Sequence, residues 1–278
     1  RFANRSDLPA LRALWQQAFH DSDSFLDRFF HTAFSPARSR LAAVDGVIAA
    51  ALYWFPASCR GQSLAYLYAV ATAPPFQGKG LCTGLMENTR ALLDGHGMGG
   101  IVLVPGSPSL FSFYGRMGYT PCCPQGRIQA RAGGPALPLK PVSPRRYGEL
   151  RPALLPAGGV LQEGIPLEFQ AGLSRLYAGK DLILSASIQA DGTLLAQELL
   201  CREPAAAAPR ILKTLKAGTG VFRIPDPRGR PFAMFRPLST WQGPPLPISA
   251  WPLMNSEFHL VGKLGLVSNK RRVPYEHT

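Results

Sequence analysis

Acidic side chains are scarce in this sequence of 278 residues. It has 17 Asp and Glu against 30 Lys and Arg, which gives a net charge of +13 at pH 7. Charged residues make up only 17% of the chain and hydrophobic residues 46%, which is enough to fill a core and argues against general disorder. The basic excess, most of it after residue 125, keeps polyanions among the candidate partners.

Patterns that bind metals or form disulfide frameworks are also missing. The five cysteines are an odd number, only Cys122 and Cys123 lie close together, and neither a Cys-x-x-Cys nor a His-x-x-x-His spacing occurs. We therefore expect reduced thiols and no metal. The five histidines are scattered, and we interpret them as surface or packing residues.

Long apolar runs are absent as well. No run approaches the roughly 18 to 20 residues that span a bilayer, and the first residues lack the apolar core of a secretion signal. We therefore expect a cytoplasmic protein with no membrane partner.

The first 130 residues alternate between helical and strand-like periods. The apolar spacing predicts two opening helices, after Ser6-Asp7 and after Asp21-Ser22, and then a hairpin around Asp45-Gly46. Further along, it predicts a buried strand over 63–72, a helix beginning near residue 81 and ended by Gly95, a strand over 101–104, and a helix from Ser107-Pro108 to Gly118.

The turn between the strand over 63–72 and the next helix is a candidate anion site. Its sequence, Gln77-Gly78-Lys79-Gly80-Leu81-Cys82-Thr83, permits backbone N–H groups to point outward together at a helix N-terminus. Spacing alone fits a plain strand-to-helix turn equally well. The nucleotide P-loop and the dinucleotide fingerprint are both excluded, since the glycines do not have the required spacing.

The turn also fits the pattern Gln/Arg-x-x-Gly-x-Gly/Ala. Together with Phe113-Tyr114-Gly115-Arg116-Met117-Gly118-Tyr119, about 30 residues later, it strongly resembles the GNAT superfamily of acyl-CoA-dependent N-acetyltransferases over about residues 1–130. The resemblance implies an α/β fold with a mixed, twisted sheet flanked by helices, which splays open beside the turn.

The resemblance also implies a binding site for acetyl-CoA as co-substrate. Its pyrophosphate would lie on the amides of the turn, and its pantetheine arm would pair with the neighbouring strand. The residues so implied are Gln77, Gly78, Lys79, Gly80, Leu81, Cys82 and Thr83 in the turn and Val70, Ala71 and Thr72 in the strand. Ser107 stands where many relatives have an Asn that contacts the cofactor arm, so that contact is expected to be weaker or absent.

The same resemblance places the Tyr114 hydroxyl beside the thioester sulfur, where it would return a proton to the departing thiolate. A tyrosine on such an apolar helix face is usually a packing residue, and the motif is what favours the proton-donor role. Cys82 at a helix N-terminus could act as a nucleophile, but the resemblance implies direct transfer. No base is evident for the acceptor amine, and the candidates are Asp21, Asp23, Glu163 and Glu168, each of which could instead be a helix cap or a solvated residue.

The order of predicted elements in the second half resembles a degenerate copy of the first half. Residues 126–146 are rich in Pro, Gly and Arg, which predicts a linker and a domain boundary near residue 132, and so domains over 1–131 and 132–278. Helices are predicted from Ser143-Pro144, over 166–177 and over 204–215, and strands on both sides of Asp191-Gly192, over 220–224 and over 231–238. The Asp-Gly turns at residues 45 and 191 suggest the repeat. A different fold that covers the first domain would look similar in sequence.

The basic residues of the second half have two candidate uses beyond a solvated surface. They are Arg145, Arg146, Arg223, Arg228, Arg230, Arg236 and Lys270-Arg271-Arg272. They could reach the adenosine phosphate or an acidic acceptor, or they could contact nucleic acid. The absence of aromatic-interleaved recognition motifs argues against a nucleic-acid reader.

We therefore predict an N-acetyltransferase that moves an acetyl group from acetyl-CoA to a primary amine on a small molecule or peptide. The alternative is a non-catalytic regulator on the same fold that binds acyl-CoA or a polyanion. The sequence leaves a homo-oligomer open.

Overall fold

The structure, a computed structural model, describes residues 1–244. The predicted basic segment at 270–272 and the histidines at 259 and 277 lie outside the described residues. Within them the helices are α1 (Leu8–Phe19), α2 (Asp23–Arg28), α3 (Leu81–Gly95), α4 (Pro108–Gly115), α5 (Pro144–Leu154), α6 (Ile165–Ala171) and α7 (Pro204–Leu215). The strands are β1 (Ser39–Val44), β2 (Val47–Cys59), β3 (Gln62–Thr72), β4 (Gly100–Leu103), β5 (Thr120–Arg131), β6 (Lys140–Pro141), β7 (Arg175–Gly179), β8 (Leu182–Ile188), β9 (Leu194–Cys201), β10 (Thr219–Pro225) and β11 (Arg230–Pro237).

All the described strands form one mixed sheet, in the order β1-β2-β3-β4-β11-β5-β10-β9-β8-β7-β6. Two neighbouring pairs, β3 with β4 and β9 with β10, are parallel, and each is connected through a helix. The other neighbours are antiparallel. The predicted α/β class with a mixed twisted sheet flanked by helices is confirmed.

Strands from the two halves are interleaved at the centre of this sheet. β11, from the end of the described chain, lies between β4 and β5, and β10 pairs with the other edge of β5. The predicted boundary at residue 132 follows the last residue of β5, yet the sheet continues through it.

The linker predicted to start at Gly126 was placed too early, because residues 126–131 belong to β5. In this stretch Arg127, Gln129 and Arg131 are exposed, whereas Ile128 and Ala130 pack against a core. This two-residue alternation is typical of a strand with one buried face, and the Gly and Arg content concealed it.

The order of elements in the second half follows the order in the first. A hairpin, a helix, a parallel strand and a returning strand occur as β2-β3-α3-β4-β5 and again as β8-β9-α7-β10-β11, with the short α4 present only in the first. Asp191-Gly192 joins β8 to β9, so its counterpart is Arg60-Gly61 between β2 and β3. Asp45-Gly46 joins β1 to β2, and the two Asp-Gly turns are therefore not equivalent.

Helices cover both faces of the sheet. Along β3, Tyr66 and Tyr68 point into a core shared with α2 and α6, while Ala65 and Leu67 point into a core formed by α3 and α4. The predicted helix over 166–177 is too long, because α6 ends at Ala171 and the chain pairs as β7 from Arg175. No helix among residues 1–244 is long and apolar enough to cross a membrane.

Candidate functional site

The site begins where two parallel strands part. β3 pairs with β4 only from Leu64 to Leu67, because β4 ends at Leu103, whereas β3 continues to Thr72. A bulge lies just beyond this point, with Ala69 at a φ of +48° and a register shift against β2. Such bulges bend a strand and increase its twist, which opens a cleft between the ends of β3 and β4.

The strand residues assigned to the pantetheine arm lie along this open edge. Ala71 and Thr72 pair with β2 on one side. On the other side, no strand among residues 1–244 pairs with Val70, Ala71 or Thr72. The backbone of this segment is therefore accessible to an extended ligand that adds as a further strand.

The glycine turn follows directly and has the geometry of an anion cradle. Gly78 and Gly80 have φ values of +73° and +77°, a region that L side chains rarely adopt. Gly80 is the N-cap of α3 and provides no side-chain cap, so the N–H groups of the first turn have no side-chain partner there. The Gln77 side chain donates to the Thr72 carbonyl (3.0 Å) and fixes the turn to the end of β3.

The remaining positions of the turn are accessible to solvent. Lys79 is exposed, with its ammonium 5.6 Å from the ring centre of Phe76, and Thr83 is exposed in the first turn of α3. Leu81 is half-buried. Exposed N–H groups at the positive end of a helix dipole can bind a diphosphate.

Cys82 is half-buried on the first turn of α3. Burial raises the pKa of its thiol, and the nearby Thr72 hydroxyl lowers the pKa in part. A raised pKa leaves little thiolate at neutral pH. His96 stands at the opposite end of α3. These features disfavour a covalent step on Cys82.

Tyr114 lies on α4 and faces the same cleft. Its side chain is 7% exposed and packs against the rings of Phe113 and Tyr119. Burial raises the pKa of the Tyr114 hydroxyl, and the neighbouring Cys82 raises it further. A hydroxyl that keeps its proton at neutral pH can donate it. Ser107 occupies the N-cap position of α4, but its Oγ pairs with Ser109 Oγ (2.9 Å) instead of capping the helix.

The cleft has a volume of about 270 Å³ and is formed by the first half of the chain. Its described walls come from α1, the α1–α2 loop, β3, β4 and α4. The lining residues are Trp15, Ala18, Phe19, His20, Asp21, Tyr66, Leu67, Tyr68, Ala69, Val70, Leu103, Val104, Gly106, Ser107, Leu110 and Tyr114.

Of the carboxylates considered as bases, Asp21 lies in this cleft. Asp23 is exposed and forms an ion pair with Arg12 (2.8 Å). Glu163 and Glu168 are exposed and line a different depression, together with Arg145. The C-terminal half therefore brings neither glutamate to the cleft.

Several cleft residues were missed at the sequence level. Trp15, Tyr66 and Tyr68 were assigned to a helix and a strand without a role at the site, and His20 was interpreted as a surface or packing residue. The two-residue spacing of Tyr66 and Tyr68 shows that they share a face of β3. Trp15 and His20 contact the same cleft because of the way α1 packs on the sheet. Local sequence does not predict that packing.

The equivalent position in the second half has different residues. β9 pairs with β10 only from Leu194 to Ala196. Beyond that point Glu198 accepts hydrogen bonds from Arg151 (2.9 Å) and Tyr147 (2.7 Å), and all three side chains are buried. The chain then enters α7 at Pro204 without a glycine turn. The second half therefore lacks the glycine cradle of the first.

The described basic residues of the second half lie away from the cleft. Arg236 forms an ion pair with Glu87 of α3, and Arg223 is buried with its guanidinium 4.5 Å from the ring centre of Phe232. A separate depression is lined by exposed arginines, which are Arg127, Arg228 and Arg230.

Comparison with known proteins supports the resemblance in the first half of the chain. A family model described as an acetyltransferase (GNAT) domain matches residues 1–122. The superfamily predicted from the two motifs is therefore confirmed for residues 1–122. No curated protein sequence matches the chain.

Solved structures share the fold over most of the chain. A GCN5-related N-acetyltransferase from Anabaena variabilis superposes with a TM-score of 0.65 at 19% identity, covering 84% of this chain and 71% of its own. A GCN5-related N-acetyltransferase from Kribbella flavida gives a TM-score of 0.64 at 16% identity, covering 84% and 69%. The shared fold thus extends well beyond residue 122.

Proposed function

Residues 1–122 are a GNAT acetyltransferase domain, and from this premise we propose that the protein is an N-acetyltransferase. It transfers an acetyl group from acetyl-CoA to a primary amine by direct attack. The observation that carries the proposal is the uncapped glycine turn, which lies beside an unpaired strand edge and a cleft that contains a buried, protonated tyrosine.

The binding surface for the co-substrate follows from these elements. The amides of the turn, from Gln77 to Thr83, would hold the pyrophosphate, and the backbone of Val70, Ala71 and Thr72 would pair with the pantetheine arm. Ser107, at the cleft wall, would lie beside that arm. The fit is supported by the turn geometry, since a Cβ at Gly78 or Gly80 would meet no atom of the described residues within 4 Å.

The chemistry requires a neutral amine, a stabilised oxyanion and a proton for the departing thiolate. Acetyl-CoA supplies the activated thioester. Tyr114 holds a proton at its hydroxyl and donates it to the sulfur as the carbon–sulfur bond breaks. The proton that the nitrogen loses on forming the amide restores the Tyr114 hydroxyl. The apolar cleft walls exclude water and so favour attack by the amine over hydrolysis.

The second half would be a degenerate GNAT-like domain over residues 132–278 that completes the sheet of residues 1–131. The repeated order of elements supports this division, and the lack of a glycine turn before α7 explains why only the first half would bind acetyl-CoA. Phe169 of α6 contacts Tyr68 of the cleft (ring centres 6.3 Å apart), so the second half supports the acceptor wall from behind. We place the protein in the cytoplasm.

Two measurements on the same protein test the proposal. Acetyl-CoA should raise the melting temperature, and acetyl-CoA with a panel of primary amines should release free thiol above the hydrolysis background. A raised melting temperature without thiol release would favour a non-catalytic acyl-CoA-binding protein. Salt-sensitive nucleic-acid binding with no shift by acetyl-CoA would favour the polyanion alternative.

A further inference from the structure

One carboxylate, Asp21, lines the cleft and lies among aromatic side chains. Resting on the proposed function, we infer that the acceptor is a small monoamine with an apolar body that can be aromatic. Its ammonium binds to Asp21 and gives one proton to solvent, and the neutral amine then attacks. Asp21 would thus determine acceptor specificity, while Tyr114 serves the opposite, sulfur-facing side of the cleft.

Asp21 is held in place for such a contact. Its side chain is only 8% exposed, and its Oδ2 accepts a hydrogen bond from Trp15 Nε1 (2.9 Å). Trp15 is itself buried and packs against Tyr68, with ring centres 5.8 Å apart. The carboxylate is therefore fixed at the cleft wall with one oxygen anchored. A fixed, poorly solvated carboxylate forms a strong charge-assisted hydrogen bond with a cationic donor.

The surrounding walls fit an apolar body. Trp15, Phe19, Tyr66 and Tyr68 line the cleft beside Asp21, and the rest of the wall is mostly aliphatic. Aromatic faces attract an ammonium and bury the carbon skeleton attached to it. The cleft volume, about 270 Å³, lies just below the range of roughly 300–1,000 Å³ typical of drug-sized ligands, which favours a small acceptor.

The single negative charge among the described cleft residues argues against a polycation as the acceptor. Asp21 is the one carboxylate among the described lining residues. The next acids along the chain, Asp23 and Asp27, are both paired with Arg12 (2.8 and 2.7 Å). A polyamine or aminoglycoside would bring further ammonium groups into the cleft, and burying an unpaired charge is costly.

The test uses the full-length protein with saturating acetyl-CoA and three acceptors, 2-phenylethylamine, spermidine and kanamycin. 2-Phenylethylamine should have the highest kcat/KM. Asp21→Asn should raise the KM for 2-phenylethylamine at least tenfold, with a smaller change in kcat and none in the KM for acetyl-CoA. Asn can still accept the Trp15 hydrogen bond, so the fold should be kept, and an unchanged melting temperature checks this.

Asp23→Asn is the matched control, since it removes a nearby exposed carboxylate and should leave the KM unchanged. The inference is overturned, with the proposed function intact, if spermidine or kanamycin is the better acceptor or if Asp21→Asn leaves the KM for 2-phenylethylamine unchanged. If no amine is acetylated, the proposed function fails. The inference is then tested separately by calorimetric titration of 2-phenylethylamine into the protein. Saturable 2-phenylethylamine binding that Asp21→Asn abolishes supports the amine site, and no binding to the wild type overturns it.

Discussion

At the scale of single residues, Tyr114 and Asp21 occupy opposite sides of one cleft but differ in how far the sequence could predict them. Tyr114 belongs to a motif, so its position on α4 near the turn was expected. Asp21 was one of four candidate acids, and only the packing of α1 and α2 against β3 separates it from Asp23. Contacts between elements distant in sequence determine which carboxylate is buried.

Replacing Tyr114 tests the proton-donor role. Tyr114→Phe keeps the ring and its packing but removes the donor, so kcat should fall about 10²-fold or more while the KM for acetyl-CoA stays the same. Tyr119→Phe is the control, because Tyr119 is similarly buried and contacts Tyr114 but does not line the cleft. Steady-state kinetics on both variants measure the effect, and equal losses in kcat and in acetyl-CoA affinity would make Tyr114 a packing residue.

Buried tyrosines also predict how stability depends on pH. Burial raises the pKa values of Tyr53, Tyr114 and Tyr119 above the ordinary value of 10.0. Above about pH 10 the unfolded chain loses these protons while the native state keeps them. The stability that these protonated tyrosines contribute is therefore fully present below pH 10. As the pH rises further, the free energy of unfolding falls by up to ~1.4 kcal/mol per pH unit for each tyrosine.

Tyr53→Phe isolates one of these contributions. The Tyr53 hydroxyl is buried without a hydrogen-bond partner among the described residues, so removing it should leave stability at pH 7 unchanged or raise it by ~1 kcal/mol. Urea unfolding between pH 8 and 11 should show a shallower alkaline loss for Tyr53→Phe than for the wild type. Identical slopes for the two proteins would contradict this account.

At the scale of elements, helices and strands with strong local signals were predicted well. α1 begins after Asp7 and α7 spans Pro204–Leu215 as predicted, and both strands beside Asp191-Gly192 form. The errors fall where local composition and tertiary pairing disagree. The start of the predicted linker is the second half of β5, and the end of the helix predicted over 166–177 pairs as β7.

The buried ion pair between Arg151 of α5 and Glu198 of β9 predicts that removing Glu198 destabilises the fold. Glu198→Ala would leave Arg151 buried without its carboxylate, which typically costs 3–5 kcal/mol. A large fall in melting temperature is expected, whereas Glu149→Ala, which removes an exposed partner of Arg145 and Arg146, should have little effect. Thermal unfolding that is the same for both variants would show that the Glu198 cluster does not stabilise the fold.

At the scale of the whole molecule, the two halves share one sheet. The sequence suggested two domains because elements recur along the chain, but it could not show that β11 returns between β4 and β5. That arrangement depends on pairing between β11 and two strands that lie far earlier in the chain. Met234 and Phe235 of β11 fill cores on opposite faces of the first half.

The position of β11 between β4 and β5 predicts that residues 1–131 do not fold alone. Without β10 and β11, β5 would lose both neighbours, and the first half would lose the apolar side chains of β11. A fragment of residues 1–131 should lack a cooperative thermal transition by circular dichroism, whereas the full chain should show one. A soluble fragment that unfolds cooperatively and binds acetyl-CoA would refute the prediction.

The central claim is that the amides at the N-terminus of α3 hold the diphosphate of acetyl-CoA, and calorimetric titration of acetyl-CoA into two glycine variants tests it most directly. Gly80→Val forces a β-branched residue to a φ of +77° in the turn, and Gly61→Val imposes the same strain, at a φ of +75°, at the opposite end of β3. If the claim is correct, Gly80→Val shows no binding heat while Gly61→Val binds like the wild type. An unchanged Kd for Gly80→Val would contradict it.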